Sequence, residues 1–401
     1  MQRRTFLQTA ALAAAAPLAG APRKKIATLS STYHVRSHSD NFITRFIEGY
    51  WIHEKFYEPP FEVSSLWMDQ IHPGDIGHKL ARSYGFKVTN SIEEALTLGT
   101  GKLAVDGVIL VCEHGNYPFN EKNQHLYPRY EFYTGVTDVY RKVGKSAPIF
   151  VDKHLSYDWT KAKRMFDISR EMKFPLMAGS SLPVTFRRPE LDYPLGVEFE
   201  DAVMVGGGWV SDGGVFHNLE TLQVFVERRK GGESGIRAVE HISGPKVWEA
   251  AQAGRWNPEL MRVALTRGLK LRPGRPEDVT NPVLALLEYN DGFKASIIML
   301  PGMVGESMVA LKVKGKPKPD STLCYIPIEN SNNFSMLVHG ITQMIETGKP
   351  PFPVERTLLT TGALSFLMDS AHQGGKRIET PQLNIRYKAP AKSYYAHGVG
   401  S

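Results

Sequence analysis

Short β-rich runs alternate with helical stretches from residue 23 to about residue 180, and this alternation constrains the fold more than any other feature of the sequence. Such alternation is typical of a parallel sheet wrapped by helices. The predicted strands are residues 25–30, 61–68, 105–112, 148–151 and 175–178. The predicted helices are residues 41–56, 76–85, 92–98, 127–143 and 159–173. We therefore predict a doubly wound α/β domain over residues 23–180.

The pattern changes after residue 180, where Gly and Pro become frequent and the apolar runs form strands without regular helices between them. This change predicts a second, α+β domain over residues 181–381, built on a large, mainly antiparallel open sheet. Its predicted strands are 236–242, 283–288, 294–300 and 308–314, with a hairpin turn at 290–292. Its predicted helices are 212–227, 334–347 and 356–373, and residues 382–401 are predicted to form an extended polar tail. A chain of 401 residues is long enough for two such domains.

Cysteine content and charge exclude several classes of protein. The two cysteines, Cys112 and Cys324, are too few for a disulfide scaffold or a Cys-rich metal cluster. Lys and Arg number 48 against 41 Asp and Glu, and the resulting charge of +7 is spread along the chain. Because no block of Lys and Arg is present, we expect no nucleic-acid groove.

Residues 1–21 are typical of a signal peptide. Arg3 and Arg4 precede an Ala-rich apolar run, and Ala19-Gly-Ala21 is a small-residue cleavage site. The paired arginines indicate the twin-arginine type, which exports proteins that are already folded, often because a cofactor is loaded in the cytoplasm. The apolar run is shorter than the roughly 20 residues that span a bilayer. We therefore predict a periplasmic protein with no membrane span in the mature chain.

Polar side chains follow the predicted strands of the first domain. In a doubly wound sheet, ligands bind beyond the carboxyl ends of the parallel strands, so these residues are the first candidates for a functional site. They are Ser30, Ser31, Thr32, Tyr33, His34 and His38 after the first strand, then Asp69, Glu113, His114, Asp152, Lys153 and His154 after the later strands. We expect these imidazoles and carboxylates to share one edge of the sheet.

One hypothesis for this edge is a dinucleotide site. In such a site a Gly-rich turn admits the pyrophosphate to a helix N-terminus, and an acid after the second strand binds the ribose hydroxyls. Asp69 is the candidate acid, while Ser30, Ser31 and Thr32 are candidate hydroxyl and amide donors. The Gly-x-Gly-x-x-Gly pattern is absent, since no glycine follows the first strand before Gly49. Binding would therefore require the loop to take another path around the phosphates.

The alternative hypothesis is a divalent metal site. Neutral imidazole and carboxylate ligands suit zinc, manganese or iron. The candidate ligands are His34, His38, His114 and His154, with Glu113 and Asp152 as candidate carboxylates. His34 and His38 are four residues apart, so they share a face only if that turn is helical. A metal would support lyase or hydrolase chemistry on a sugar. With 13 histidines in the chain, each candidate could equally be a surface or hydrogen-bonded histidine.

Lys153 is a candidate catalytic residue because of its position. It follows a buried strand and precedes a helix, where its ammonium could protonate or polarise an oxygen of a bound substrate. The helix dipole disfavours cations near a helix start, so a lysine there is unexpected unless it has a function.

A second candidate group lies in the glycine-rich stretch 206–217 of the second domain. Its glycines would let backbone and ligand approach closely, and Asp212 and His217 could form an acid–base pair. Asp212 could equally serve only as a cap of the helix that follows.

Taken in order, these features resemble the Gfo/Idh/MocA family, which is named after glucose-fructose oxidoreductase, inositol dehydrogenase and MocA. The resemblance runs from about residue 24 to residue 382. Residues 106–114 are similar to the family's fourth strand and its nicotinamide-side loop. Asp152-Lys153-His154 is similar to its Glu-Lys-Pro segment, whose lysine lies at the active site. Residues 206–217 resemble its Gly-Gly-Gly…Asp-x-Gly…His stretch, and residues 334–381 resemble its closing helices.

The resemblance implies a Rossmann-like first domain and an oxidoreductase that acts on a sugar or cyclitol with tightly bound NAD or NADP. It implies that Lys153 and His217 handle protons, that Asp212 orients the substrate, and that Glu113 and His114 lie near the nicotinamide. Three departures are present. The glycine fingerprint is missing, Asp and His replace the family's Glu and Pro on either side of Lys153, and the spacing from Asp212 to His217 is one residue longer than usual.

Two further expectations concern partners. We expect a carbohydrate-like small molecule in the cleft between the domains, and a homo-oligomer formed through the open face of the second sheet, since such a face usually has to be covered. Two other classes stay open. One is a metal-dependent lyase or hydrolase with the same fold, and the other is a non-catalytic sugar-binding protein.

Overall fold

The computed structural model describes residues 23–207, 212–327 and 332–398. The predicted signal peptide, residues 208–211 of the glycine-rich stretch and the last three residues lie outside the described ranges. Within those ranges, no helix has the length and apolar character needed to cross a membrane.

The first domain is a parallel sheet of six strands wrapped by helices, as its alternating sequence predicts. The six strands of this sheet are β1 (Lys25–Ser30), β4 (Glu62–Met68), β5 (Lys87–Thr89), β6 (Gly107–Val111), β7 (Ile149–Asp152) and β8 (Leu176–Gly179). A separate hairpin is formed by β2 (Tyr50–Ile52) and β3 (Lys55–Tyr57). Its helices are α1 (His38–Glu48), α2 (Gly77–Tyr84), α3 (Ile92–Thr97), α4 (Arg129–Val143) and α5 (Trp159–Glu171). The strand order β5-β4-β1-β6-β7-β8 is that of a doubly wound sheet with β1 near its centre.

The predicted helix 41–56 is wrong over its second half, which forms the β2–β3 hairpin. Gly49 ends α1 with a φ of +85°, and its N–H donates to the carbonyl of Arg45. A Cβ at this position would lie 2.6 Å from the Tyr57 carbonyl oxygen, so the hairpin closes against α1 only because residue 49 is glycine. The short strand β5 was also absent from the prediction, because three residues carry too little alternation to be recognised.

The second domain is built on an eight-stranded, mainly antiparallel sheet, as predicted. Its strands are β9 (Phe186–Arg188), β10 (Phe199–Gly206), β11 (Ile236–Ser243), β12 (Val283–Tyr289), β13 (Lys294–Met299), β14 (Ser307–Val313), β15 (Asp320–Tyr325) and β16 (Ile378–Glu379). Its helices are α6 (Asp212–Val226), α7 (Lys246–Gln252), α8 (Pro258–Leu265), α9 (Asn332–Thr347) and α10 (Val354–His372). The strand order is β16-β11-β12-β13-β10-β14-β15-β9, and only β10 and β13 pair in parallel.

Helices cover both faces of this second sheet. Leu219 of α6 and Leu364 of α10 pack on one face in a core with Met204, while Val247 of α7 and Leu260 of α8 pack on the other face. The exposed part of the sheet that these helices leave uncovered carries charged cross-strand pairs, among them Lys312–Glu200 and Arg237–Glu288. The apolar part of the face expected to drive assembly is therefore already covered within the chain, and the homo-oligomer stays a prediction.

Helix α9 returns to the first domain, although it lies within residues 181–381. Leu337 and Ile341 of α9 are fully buried in one core with Ile26 of β1 and Phe42 of α1. The N-terminal end of the same domain is fastened to this helix as well, since Lys24 Nζ donates to the Ile345 carbonyl oxygen at 2.9 Å. Helix α9 thus links the two domains, because it belongs to the second domain by sequence but packs in the core of the first.

The last described residues, 384–398, lie outside helices and strands, and they are anchored to the rest of the protein. Tyr395 is buried, and the buried guanidinium of Arg228 donates to the carbonyl oxygens of Pro390 and Ala391. The segment therefore forms part of the second domain's surface layer.

We predict that Arg356→Met will strongly destabilise the protein. Arg356 on α10 makes two hydrogen bonds of 2.7–2.8 Å to Glu227, which follows α6, and both side chains are at most 2% exposed. Removing one partner leaves a buried charge uncompensated, which costs about 3–5 kcal/mol. Urea unfolding of the two proteins measures this difference.

The matched control is Arg170→Met, because the Arg170 side chain is 53% exposed and its ion pair with Glu355 lies at the surface. Surface pairs contribute roughly 0–1 kcal/mol. Similar losses in the two variants would show that burial of the Arg356–Glu227 pair does not determine its effect.

Candidate functional site

The candidate site lies at the carboxyl edge of the parallel sheet, where α6 of the second domain faces it. The side chains that follow β6, β7 and β8 supply Glu113, Lys153 and Ser180, and α6 supplies His217. Glu113, Lys153 and Ser180 are each at most 9% exposed, whereas His217 is partly exposed. This is the edge at which doubly wound sheets bind ligands.

Two non-glycine residues at this edge have a left-handed backbone. His114 has a φ of +68° and Lys153 a φ of +65°. Such conformations cost of order 1–3 kcal/mol and persist only where surrounding contacts enforce them. At Lys153 the enforcing contact is its own N–H, which donates to the Gly179 carbonyl oxygen of β8 at 3.1 Å. The strand end thereby aims the Lys153 side chain along the edge.

A buried carboxylate holds two cations together at the centre of the site. Lys153 Nζ donates to Glu113 Oε1 at 2.7 Å, and Arg129 Nη2 donates to Glu113 Oε2. Arg129, at the start of α4, is fully buried and also donates to the Asp152 carbonyl oxygen at 3.2 Å. Glu113 therefore fixes the position of the Lys153 ammonium.

The charges of this cluster set the protonation of its members. Burial would raise the pKa of Glu113, but the Lys153 ammonium and the Arg129 guanidinium outweigh burial and hold the pKa below its usual range. His154 is fully buried, and its Nε2 lies 3.2 Å from Arg129 Nη1. Burial, helped by Arg129, lowers the pKa of His154 well below its usual value, so this imidazole is neutral.

Several imidazoles lie above the end of β1, as the sequence predicts. The ring centroids of His34 and His72 are 4.1 Å apart, and His114 lies 5.6 Å from His34 and 5.4 Å from His38. His38 Nδ1 is 2.7 Å from Asp152 Oδ2, so this histidine bridges α1 and β7. Burial and the neighbouring His38 lower the pKa of His114 to about 4.

The structure does not assemble the alternative metal site. No three His, Cys, Asp or Glu side chains in the described ranges are arranged to hold a metal ion. His154 Nε2 faces the Arg129 guanidinium, and His38 Nδ1 is already bonded to Asp152. His34, His38, His114 and His154 therefore do not converge on one metal position in the described ranges.

The loop after β1 differs from the predicted row of ligand donors. Ser30 and Ser31 are fully buried, and their hydroxyls donate to the carbonyl oxygens of Thr32 and Glu113 at 2.9 and 2.7 Å. Their hydroxyls are thus engaged inside the protein. The hydroxyl of Thr32 in this loop and Nε2 of His114 after β6 are buried without a hydrogen-bond partner among the described residues.

Asp69 lies at the end of β4 and is exposed, at the place predicted for a ribose-binding acid. Tyr117 donates its hydroxyl to Asp69 Oδ2 at 2.6 Å. Gln70 and Asn116 exchange two hydrogen bonds of 2.8 and 3.2 Å next to this contact. Because β1 lies between β4 and β6 in the sheet, these bonds join two loops on either side of the β1 end.

His217 is bonded to a serine that the sequence analysis did not select. Its Nδ1 lies 2.5 Å from Ser180 Oγ. Burial and the nearby Lys153 ammonium lower the pKa of His217 well below its usual value. One turn further along α6, Glu220 accepts a hydrogen bond from the Ser180 N–H, and burial raises the pKa of Glu220 to about 7.

Asp212 and His217 do not form the predicted acid–base pair, because each has a different partner. Asp212 accepts hydrogen bonds from its neighbour Gly213 and from the N–H of His125, at 2.8 and 3.1 Å. Burial raises the pKa of Asp212. The aspartate thus ties the start of α6 to the loop between β6 and α4, and its role as a substrate contact stays a prediction.

The sequence contained signals for two of the residues it missed. Ser180 directly follows β8, so the rule that selected Lys153 also selects Ser180. Arg129 begins α4, and the helix dipole disfavours a cation there. The argument that selected Lys153 therefore applies to Arg129 as well. Glu220 had no such signal, because its burial depends on contacts with β8 and α10 that are distant in sequence.

No family model matches the chain, and no curated protein matches its sequence. Solved structures share its fold. GenD2 from gentamicin A biosynthesis, in complex with NAD, has a TM-score of 0.54 at 13% identity, over 90% of this chain and 97% of its own. Apo scyllo-inositol dehydrogenase from Lactobacillus casei has a TM-score of 0.53 at 10% identity, over 90% and 99%. The myo-inositol 2-dehydrogenase from Lactobacillus plantarum has a TM-score of 0.53 at 8% identity, over 88% and 99%. The chain thus has the two-domain fold of these dehydrogenases, which is the fold that the resemblance implies.

We predict that Glu113→Gln will destabilise the protein by about 3 kcal/mol at neutral pH, because two buried cations lose their counter-charge. The pKa of Glu113 is lowered by folding, so the contribution of its carboxylate is complete above the unfolded pKa of about 4.3 and is lost as the pH falls through the folded value. The difference in unfolding free energy between the two proteins should be constant from about pH 8 to 6 and shrink below about pH 4.5.

Denaturant unfolding across this pH range measures the effect. The control is Glu131→Gln, whose carboxylate is half exposed and pairs with Lys161 at the surface. A loss for Glu113→Gln that persists unchanged at pH 3, or one no larger than that of the control, would contradict the assignment.

Proposed function

We propose that this protein is an exported NAD(P)-dependent oxidoreductase that acts on a sugar or cyclitol. The observation that carries the proposal is the Lys153 ammonium, held by Glu113 at the carboxyl edge of the sheet beside His217 of the second domain. A cation and an imidazole at one cleft can bind and protonate an oxygen that gains or loses a proton during hydride transfer. The fold of inositol dehydrogenases and of GenD2 supports the same class of reaction.

The residues along the edge fit a dinucleotide, although not through a glycine-rich turn. Asp69 is exposed at the end of β4, beside β1, where a ribose would be bound, and buried polar atoms of Thr32 and His114 nearby lack a partner within the described residues. The usual phosphate cradle is absent, because the first turn of α1 is capped by Ser37 and Asp40 of the protein itself. We propose that side chains on the ends of β1, β4 and β6 hold the cofactor instead of backbone amides.

When bound, the nicotinamide would accept or supply the hydride. The remaining chemistry belongs to the protein. Lys153 donates a hydrogen bond to the substrate oxygen and exchanges a proton with it, and Glu113 keeps the lysine in place. His217 provides a second contact to that oxygen from the opposite domain, and Asp212 orients the loop between β6 and α4 at the cleft.

Export is part of the proposal and is supported by the twin-arginine pattern at residues 3–4 and the small-residue site at 19–21. A dinucleotide is scarce outside the cytoplasm, so the cofactor would be loaded before export and retained. It would then have to recycle between an oxidisable and a reducible substrate.

Native mass spectrometry of the gently purified protein, followed by denaturation, tests the cofactor directly. A released NAD or NADP is the expected result. Protein that carries no dinucleotide, and that binds none when it is added, would overturn the proposal and favour a sugar-binding protein without redox activity.

We predict that Lys153→Met will lower turnover by roughly 10²–10⁴-fold, because the residue that exchanges the proton is lost. Substrate and cofactor affinity should change much less, since the methionine keeps most of the volume. Steady-state kinetics with inositols and with their ketones, together with calorimetric binding, separate these effects.

Lys163→Met is the matched control, because Lys163 lies on the surface of α5 and pairs with Asp167. An equal loss of turnover and affinity in Lys153→Met, or no loss of either, would contradict the assigned role.

A further inference from the structure

The bond between Ser180 and His217 decides which nitrogen of the imidazole carries the proton. Ser180 is 2% exposed, so its hydroxyl has almost no access to solvent and has to satisfy its hydrogen bonds within the protein. Its oxygen lies 2.5 Å from His217 Nδ1, a distance that requires a proton between the two atoms. Either atom could in principle be the donor.

A second contact of the same hydroxyl resolves the choice. The N–H of Leu182 donates to Ser180 Oγ at 3.0 Å, and a backbone N–H can only donate. If His217 Nδ1 also donated, the hydroxyl proton would be buried with no acceptor among the described residues, which costs about 1–3 kcal/mol. If the hydroxyl donates to Nδ1, the Leu182 N–H, the Ser180 hydroxyl and His217 Nδ1 each have a partner. The chain of donors therefore runs from Leu182 through Ser180 to His217.

The backbone N–H of Ser180 is also held, by Glu220, so the fold itself fixes the hydroxyl in the position from which it donates to His217. Glu220 accepts from the Ser180 N–H at 2.5 Å and from the Thr357 hydroxyl at 2.5 Å. Gly179, with a φ of +142°, lets this carboxylate approach, because a Cβ there would lie 2.8 Å from Glu220 Oε1. Glu220 thus holds the serine backbone and leaves the hydroxyl for His217.

We propose that Ser180 is a positioning residue that holds His217 as the neutral tautomer with its proton on Nε2, so that His217 serves the cleft as a hydrogen-bond donor. The inference rests on the proposed function for its catalytic meaning, but the tautomer itself does not depend on any cofactor or substrate. His217 then polarises the substrate oxygen, and proton exchange falls to Lys153. The sequence analysis assigned proton handling to both Lys153 and His217, but in this proposal only Lys153 exchanges the proton and His217 donates a hydrogen bond.

The groups that face His217 agree with a neutral imidazole. The Lys153 ammonium and the His38 imidazole disfavour a second proton on its ring, whereas Glu113 favours one but is neutralised by Lys153 and Arg129. Glu220 bonds the Ser180 N–H, not the His217 ring.

NMR of the whole mature protein labelled with ¹⁵N-histidine tests the proposal, because the shifts and proton couplings of the two ring nitrogens distinguish the tautomers. Comparison with His217→Gln assigns the signals. At pH 7 we expect one neutral form, with Nδ1 unprotonated and Nε2 protonated. In Ser180→Ala the ring should lose this preference and populate both tautomers, with at least a tenfold rise in the Nδ1–H form.

Two variants separate a positioning role from a merely structural one. Ser180→Thr keeps the hydroxyl and should restore the single tautomer. Ser181→Ala is the matched control, because the neighbouring hydroxyl accepts from Asn333 and does not touch His217, so its spectrum at His217 should be that of the unaltered protein. Circular dichroism and melting curves confirm that each variant is folded.

A protonated Nδ1 in the unaltered protein would overturn the proposal, and so would an unchanged tautomer in folded Ser180→Ala. If Ser180→Ala does not fold, the tautomer of the unaltered protein and of Ser180→Thr still decides the matter. Absence of redox turnover together with the expected tautomer would refute the proposed function and leave the role of Ser180 standing.

Discussion

The site depends on one buried carboxylate that neutralises two cations. Without Glu113, Lys153 and Arg129 would bring two uncompensated positive charges to the end of β7 in a region shielded from water, which costs about 3–5 kcal/mol. With it, Lys153 keeps a fixed ammonium at the carboxyl edge of the sheet, and Arg129 connects the same carboxylate to His154 and to the backbone of β7. The left-handed backbone of Lys153 is part of this arrangement, since it turns the side chain towards Glu113 at the end of the neighbouring strand.

The architecture could be predicted from the sequence because parallel strands buried on both faces form short, continuous apolar runs. The run around β6 is an example, and the prediction for β1 has the bounds that the structure shows. The prediction failed where one residue redirects the chain, as at Gly49, and where charged residues interrupt a strand, as Glu200 and Asp201 do in β10. The edge of the sheet that bears the site was also predictable, since it follows from strand direction. The partner of each side chain was not, because the contact of His217 with Ser180 and that of Asp212 with His125 depend on how α6 docks on the first domain.

The missing glycine fingerprint has a structural counterpart. A loop of seven residues separates β1 from α1, and it begins with buried hydroxyls that are bonded to the protein itself. Ser37 and Asp40 cap the helix that would otherwise present free amides to a phosphate, so the positive end of the helix dipole is already neutralised. In compensation, unpartnered polar atoms lie on Thr32 and His114, at the ends of neighbouring strands. Under the proposed function, the ligand would be recognised through side chains at these strand ends instead of through backbone amides.

The return of α9 to the first domain makes the two sheets inseparable during folding. A fragment that stopped at residue 180 would expose the apolar surface that Leu337 and Ile341 cover on β1 and α1, so the first sheet cannot be completed until nearly the whole chain has left the ribosome. If the proposed export in a folded state holds, it suits such a chain, because an unfinished first domain would offer a large apolar surface to other proteins during synthesis.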